Sequence, residues 1–123
     1  MTPICLVLAD DHVIVRQGLR ALLESQPDLR VVGETGDGLE ALDLAERLRP
    51  DVMVIDLMMP GLNGLEVAAL VRRRHPEAQV LIMSGYTEHS VLRGKAITPG
   101  TNFLQKPFSG DELVRMVRAV LDT

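Results

Sequence analysis

Five polar residues stand where apolar runs stop: Asp10 and Asp11 after Ile4 to Ala9, Asp56 after Val52 to Ile55, Ser84 after Val80 to Met83, and Lys106 after Asn102 to Gln105. Carboxylates gathered on one rim repel one another unless a cation shares them. Magnesium meets that demand, because it takes a few carboxylate oxygens, a carbonyl and waters, and keeps room for phosphate oxygens. An ammonium at Lys106 facing the same rim would neutralise charge on a transferred phosphoryl group, and the Ser84 hydroxyl could donate to one of its oxygens. Taken singly, each residue has a plainer reading. Asp10 and Asp11 could cap a helix, Ser84 could belong to a turn, and Lys106 could be a surface lysine. Only the combination points to phosphoryl chemistry, and it requires that these distant positions meet.

The elements that would bring them together are legible as alternating patterns. Five runs read as strands: Ile4 to Ala9, Val31 to Thr35, Val52 to Ile55, Val80 to Met83, and Asn102 to Gln105. Most are continuously apolar, as in a parallel sheet covered on both faces. Between and after them run helical stripes: Val15, Leu19 and Leu22; Ala41, Ala45 and Leu48; Val67, Ala68 and Val71; and Leu113, Val117, Val120 and Leu121. Asn63 and Ser109 suit helix caps, while Gly33, Pro50, Pro76 and Pro107 punctuate the joints. Glu88 to Ile97, interrupted by Gly94 and followed by Pro99-Gly100, makes a poorer fourth helix. The pattern predicts a doubly wound (βα)5 α/β fold with a five-stranded parallel sheet in the order 2-1-3-4-5. In that order the ends of strands one, three, four and five form one rim, where such folds bind ligands.

A chain of 123 residues with 46% apolar residues is enough for one domain, taken as residues 1–123, with a core that needs no disulfide. The net charge of −4 argues against direct nucleic-acid binding by this domain. The run Arg72-Arg73-Arg74 reads as a solvated helix face. Cys5, inside an apolar run, reads as a buried thiol of a reducing compartment, and no segment suits a signal peptide or a bilayer span. The expected location is the cytoplasm. His12, at the start of an amphipathic helix, reads as exposed and is left out of the site.

With Asp10-Asp11, Asp56-Leu57-Met58-Met59-Pro60-Gly61, Met83-Ser84-Gly85 and Lys106-Pro107-Phe108 in this order, the chain resembles a bacterial response-regulator receiver domain. The resemblance covers essentially the whole chain and implies a flavodoxin-like fold. It further implies that Asp11 and Asp56 ligate Mg2+, or Mn2+ in its place, with Asp10 acting through water and the backbone carbonyl of Met58 completing the protein ligands. Asp56 would accept a phosphoryl group from a phosphohistidine of a sensor histidine kinase or phosphotransfer protein. Ser84 and Phe103 would be the switch pair. The surface of the fourth helix, fifth strand and fifth helix would pass the signal to a downstream effector or output domain, or to a second copy in a phosphorylation-linked homodimer. The domain would be a signalling switch rather than an enzyme acting on a separate substrate, with no membrane partner.

Two features are peculiar to this chain. Met58 and Tyr86, each two residues beyond a site residue, are expected to flank the phosphoryl group and slow its hydrolysis. The first part, through Val15-Arg16-Gln17-Gly18-Leu19, resembles receivers joined to a helix-turn-helix output, whereas Met83 to Thr87 and Phe103 to Phe108 resemble those of hybrid kinases. No output segment follows the last helix, so the chain reads as a stand-alone receiver or a fragment. A haloacid-dehalogenase-type phosphatase would need an aspartate where Met58 stands. A flavodoxin-like cofactor binder would need a phosphate-cradling loop where the acidic pair stands. A degenerate, unphosphorylated scaffold would be expected to lack an acidic residue or the lysine.

Overall fold

A computed structural model describes residues 2–85 and 101–121. It contains β1 (Ile4–Ala9), α1 (Val13–Glu24), β2 (Leu29–Thr35), α2 (Gly38–Leu48), β3 (Val52–Asp56), α3 (Gly64–Arg74), β4 (Gln79–Ser84), β5 (Thr101–Gln105) and a last helix, Gly110–Leu121. All strand pairs are parallel, in the order β2-β1-β3-β4-β5. The predicted architecture is therefore the observed one across these residues. The weak helix Glu88 to Ile97 and Tyr86 fall outside them.

The continuous apolar strands have a simple cause, since successive side chains point to opposite faces and both faces are covered. Val7, Ala9, Met53, Ile55, Val80 and Ile82 pack with Ala41 and Leu44 of α2 and Val67, Ala68 and Val71 of α3. Leu6, Leu8, Val52, Val54, Leu81 and Met83 pack with Leu19 and Leu23 of α1 and Leu113, Val117 and Val120 of the last helix. β5 divides the same way, with Phe103 against the first cluster and Leu104 against the second. At roughly 1.5–3 kcal/mol for each large apolar side chain buried, these two layers dominate the stability.

Helix starts are fixed as predicted. Asn63 and Glu66 form reciprocal bonds of 2.9 Å at the head of α3, and Ser109 and Glu112 form the same pair at 3.1 Å ahead of the last helix. Other details differ from the sequence reading. β3 and β4 run one residue further than their apolar stretches, so Asp56 and Ser84 are strand residues, because ladder hydrogen bonds are indifferent to side-chain polarity. Gly33 lies within β2 and not at a joint. The β1–β2 register shifts at Leu6/Val7, and a Cβ on Gly33 would lie 2.8 Å from Leu48 Cδ1, so its missing side chain lets α2 pack down. Cys5, near the open end of β1, is only half-buried. Arg72 is not simply solvated: its guanidinium donates to the carbonyls of Pro76 and Ala78, closing the turn into β4.

Candidate functional site

The strand ends place four of the five predicted polar positions in one acidic pocket. Asp56, the last residue of β3, is held from behind: the Leu57 amide donates to Met83 O (3.0 Å) and the Gly64 amide to Leu57 O (2.8 Å). Its side chain is 2% exposed and accepts a hydrogen bond from Lys106 Nζ at 3.0 Å. Lys106 reaches it because its own amide donates to Ser84 O (2.7 Å) where β5 runs beside β4. The ammonium, expected to face a transferred phosphoryl group, thus pairs directly with the carboxylate. The peptide bond that follows, Lys106-Pro107, is cis. Ser84 is buried at the end of β4.

Asp10 follows β1, its amide donating to Thr35 O at 2.9 Å. Its side chain is fully buried; Oδ1 accepts from the His12 amide at 2.8 Å, while Oδ2 has no hydrogen-bond partner among the described residues. A buried carboxylate oxygen without a donor is costly, and a cation is a natural partner for it. One ligand atom each from Asp10, Asp11, His12 and Asp56 lies within 4.8 Å of the others. The three carboxylates of this group are hard oxygen donors that fit a divalent cation of the magnesium type. Met58 lies two residues beyond Asp56 and is 46% exposed.

Two residues of the pocket were left out of the site in the sequence reading. His12 is exposed as expected, yet its Nδ1 is 3.2 Å from both Asp10 Oδ1 and Asp11 Oδ1. Arg16, one position after the exposed Val15, takes the inward place on α1: Nη1 donates to Asp10 O (2.7 Å) and Nε to Glu34 Oε1 (3.1 Å). It clamps the end of β1 to β2. Arg20 also donates to Glu34. The pattern Val15-Arg16-Gln17 hides this role, because an arginine between helical positions reads as solvent-facing.

Burial pushes the Glu34 carboxyl upward, but hydrogen bonds from Arg20 and Arg16, with the charges of both, outweigh it and hold it below the usual carboxylate range. Hydrogen bonds to Glu34 and to Glu24, with both their charges, raise Arg20. A carboxyl depressed in the folded state contributes stability above its unfolded value, about 4.3, and loses it as pH falls through the lower folded value. Glu34→Gln is therefore expected to cost about 1 kcal/mol at neutral pH, with the gap from the parent closing in acid. Urea denaturation across that pH range checks it, and a gap that persists in acid would remove Glu34 from the clamp.

A family model for the response regulator receiver domain matches residues 6–118. The transcriptional regulatory protein DegU of Brevibacillus brevis is 32% identical over 115 residues, which cover 94% of this chain and 49% of DegU. The DNA-binding transcriptional activator DevR/DosR of Mycobacterium tuberculosis is 37% identical over 113 residues, covering 92% of this chain and 52% of that protein. The chain thus spans about half the length of these curated relatives. Among solved structures, the signal receiver domain of NarL from Mycobacterium tuberculosis superposes with a TM-score of 0.83 at 32% identity, covering 99% of this chain and 98% of that one. Among the described residues, no helix is long and apolar enough to cross a membrane.

Proposed function

The chain belongs to the response-regulator receiver family, and on that premise we propose that Asp56 is its phosphoacceptor, served by Mg2+, Lys106 and Ser84. The observation that carries this reading is the 3.0 Å contact of Lys106 Nζ with the buried Asp56 carboxylate, beside an Asp10 oxygen that lacks a donor among the described residues. In the reaction, a carboxylate oxygen of Asp56 bonds to phosphorus as the phosphorus–nitrogen bond of a donor phosphohistidine breaks. The imidazole leaves with the electron pair. Lys106 orients the carboxylate before transfer and neutralises phosphoryl charge after it, and the Ser84 hydroxyl donates to a phosphoryl oxygen. Asp11, Asp56, the Met58 carbonyl and, through water, Asp10 would hold the magnesium, which when bound supplies charge neutralisation.

Phosphorylation then draws Ser84 toward the phosphoryl group and Phe103 inward behind it. Phe103 pairs in register with Ile82, two residues before Ser84, so movement at the end of β4 is felt directly on β5. The outcome is a changed surface on β5, the last helix and the expected helix between residues 88 and 97, read by an effector, an output domain or a second copy. The donor would be a cytoplasmic sensor kinase or phosphotransfer protein.

Incubation with acetyl phosphate and Mg2+, followed by intact mass measurement, is expected to show one added phosphoryl group that EDTA prevents. No added mass would sink the proposal. Followed over time, the same signal is expected to decay faster in Met58→Asn with Tyr86→Glu, since smaller or polar side chains admit the attacking water. Equal decay would clear both side chains of that role.

A further inference from the structure

We propose that His12 is a metal-selectivity residue, whose imidazole gives the acidic pocket a nitrogen donor and favours borderline divalent ions such as Zn2+ and Co2+ relative to Mg2+. The inference rests on the reading of Asp10, Asp11 and Asp56 as a cation site and extends it to a side chain outside that set.

His12 is the residue before α1, with extended backbone (φ −89°, ψ 103°), yet its side chain makes no cap hydrogen bond. The ring turns back over the acids instead. Its Nδ1 lies 3.2 Å from Asp10 Oδ1 and 3.2 Å from Asp11 Oδ1. Metal–ligand bonds of about 2.0–2.1 Å place neighbouring ligand atoms about 3.0–3.4 Å apart, so a nitrogen 3.2 Å from Asp11 Oδ1 is spaced as a neighbouring ligand would be, while the same nitrogen lies within hydrogen-bond distance of Asp10 Oδ1. One ring N–H, by contrast, cannot serve two acceptors well at the long end of the hydrogen-bond range. The His12 amide, donating to Asp10 Oδ1 at 2.8 Å, fixes this carboxylate relative to the ring. Asp10 is fully buried in the same group and its Oδ2 has no hydrogen-bond partner among the described residues, a need that a cation would meet. Imidazole suits zinc, cobalt and nickel, whereas magnesium prefers oxygen alone.

The test compares binding of Zn2+ and of Mg2+ by the parent chain and by His12→Ala, using calorimetry, with 15N-histidine NMR as a second readout. Because the His12 side chain is 67% exposed, its removal leaves the core intact. Zn2+ affinity is expected to fall about tenfold or more in His12→Ala with Mg2+ affinity unchanged, and Zn2+, but not Mg2+, to shift the His12 ring nitrogen in the parent. Unchanged Zn2+ affinity, or an equal fall for both ions, would overturn the assignment while leaving the acidic pocket standing. Failure of the pocket itself reads differently: the parent would bind no Mg2+, or Asp11→Asn would bind it as well as the parent.

Discussion

Asp56→Asn is expected to take up no phosphoryl group at all and, in the absence of divalent cations, to lose little or no stability. The first half follows from chemistry, because an amide oxygen is a poor nucleophile and the acyl phosphate cannot form on it. The second half follows from the charges. Asp56 and Asp10 are both buried, with Asp11 beside them, so one fewer carboxylate relieves repulsion. Against this stands the loss of the Lys106 ion pair, but the Lys106 side chain is 32% exposed and can turn its ammonium to water. The order reverses when Mg2+ is added. At tenfold over its dissociation constant, the ion stabilises the parent by about 1.4 kcal/mol, or about 5 °C in melting temperature, and the variant gains much less. Melts with Mg2+ and with EDTA, alongside intact mass, check both halves. A phosphorylated Asp56→Asn chain would place the acceptor elsewhere, and an equal Mg2+ shift in both proteins would remove Asp56 from the metal's ligands.

Why some of this was legible and some was not has a physical basis. A parallel sheet buried on two faces forces runs such as Val52 to Ile55 to be apolar throughout, and helices that cover it must show stripes such as Val67, Ala68 and Val71. Topology then followed, and with it the meeting of Asp56 and Lys106, 50 residues apart. Strand ends were misjudged where a polar residue continues the ladder, because the backbone pairs regardless of what Asp56 or Ser84 carries. The α1 stripe was misjudged for the opposite reason. Val15 is exposed and Arg16 faces in, since the inward place lies over the Asp10 carbonyl and Glu34, where only a donor is useful. His12 was set aside as exposed because a residue's periodicity tells which side of a helix it faces, not whether its ring folds back past the helix start. Contacts between loops leave still less trace in the pattern, and the glycines are where they matter most.

Gly38→Ala is expected to be strongly destabilising, costing about 3 kcal/mol, whereas Gly18→Ala should stabilise the chain. A Cβ on Gly38 would lie 2.1 Å from the Leu62 carbonyl oxygen, a backbone atom that no rotamer change can move. The Gly38 amide also donates to Pro60 O at 3.2 Å, so the first turn of α2 is fastened to the loop between β3 and α3. That loop has little freedom: Leu57 is tied to Met83, Gly64 to Leu57, and Gly61 holds a left-handed φ of 80°. Displacing Leu62 must therefore either loosen α2 or push back toward Met58 and Asp56. Gly18 lies within α1, with nothing within 4 Å of an added Cβ, so alanine there should gain about 0.5–1 kcal/mol of helix propensity. The two variants add the same atom with opposite expected signs, which removes composition as an explanation. Urea denaturation measures both, and the initial rate of phosphoryl uptake per folded molecule is expected to fall in Gly38→Ala while Gly18→Ala keeps the parent rate. If Gly38→Ala were as stable as the parent, the close packing of α2 on this loop would be wrong. If it were unstable yet phosphorylated at the parent rate, the loop would support the fold without positioning Asp56.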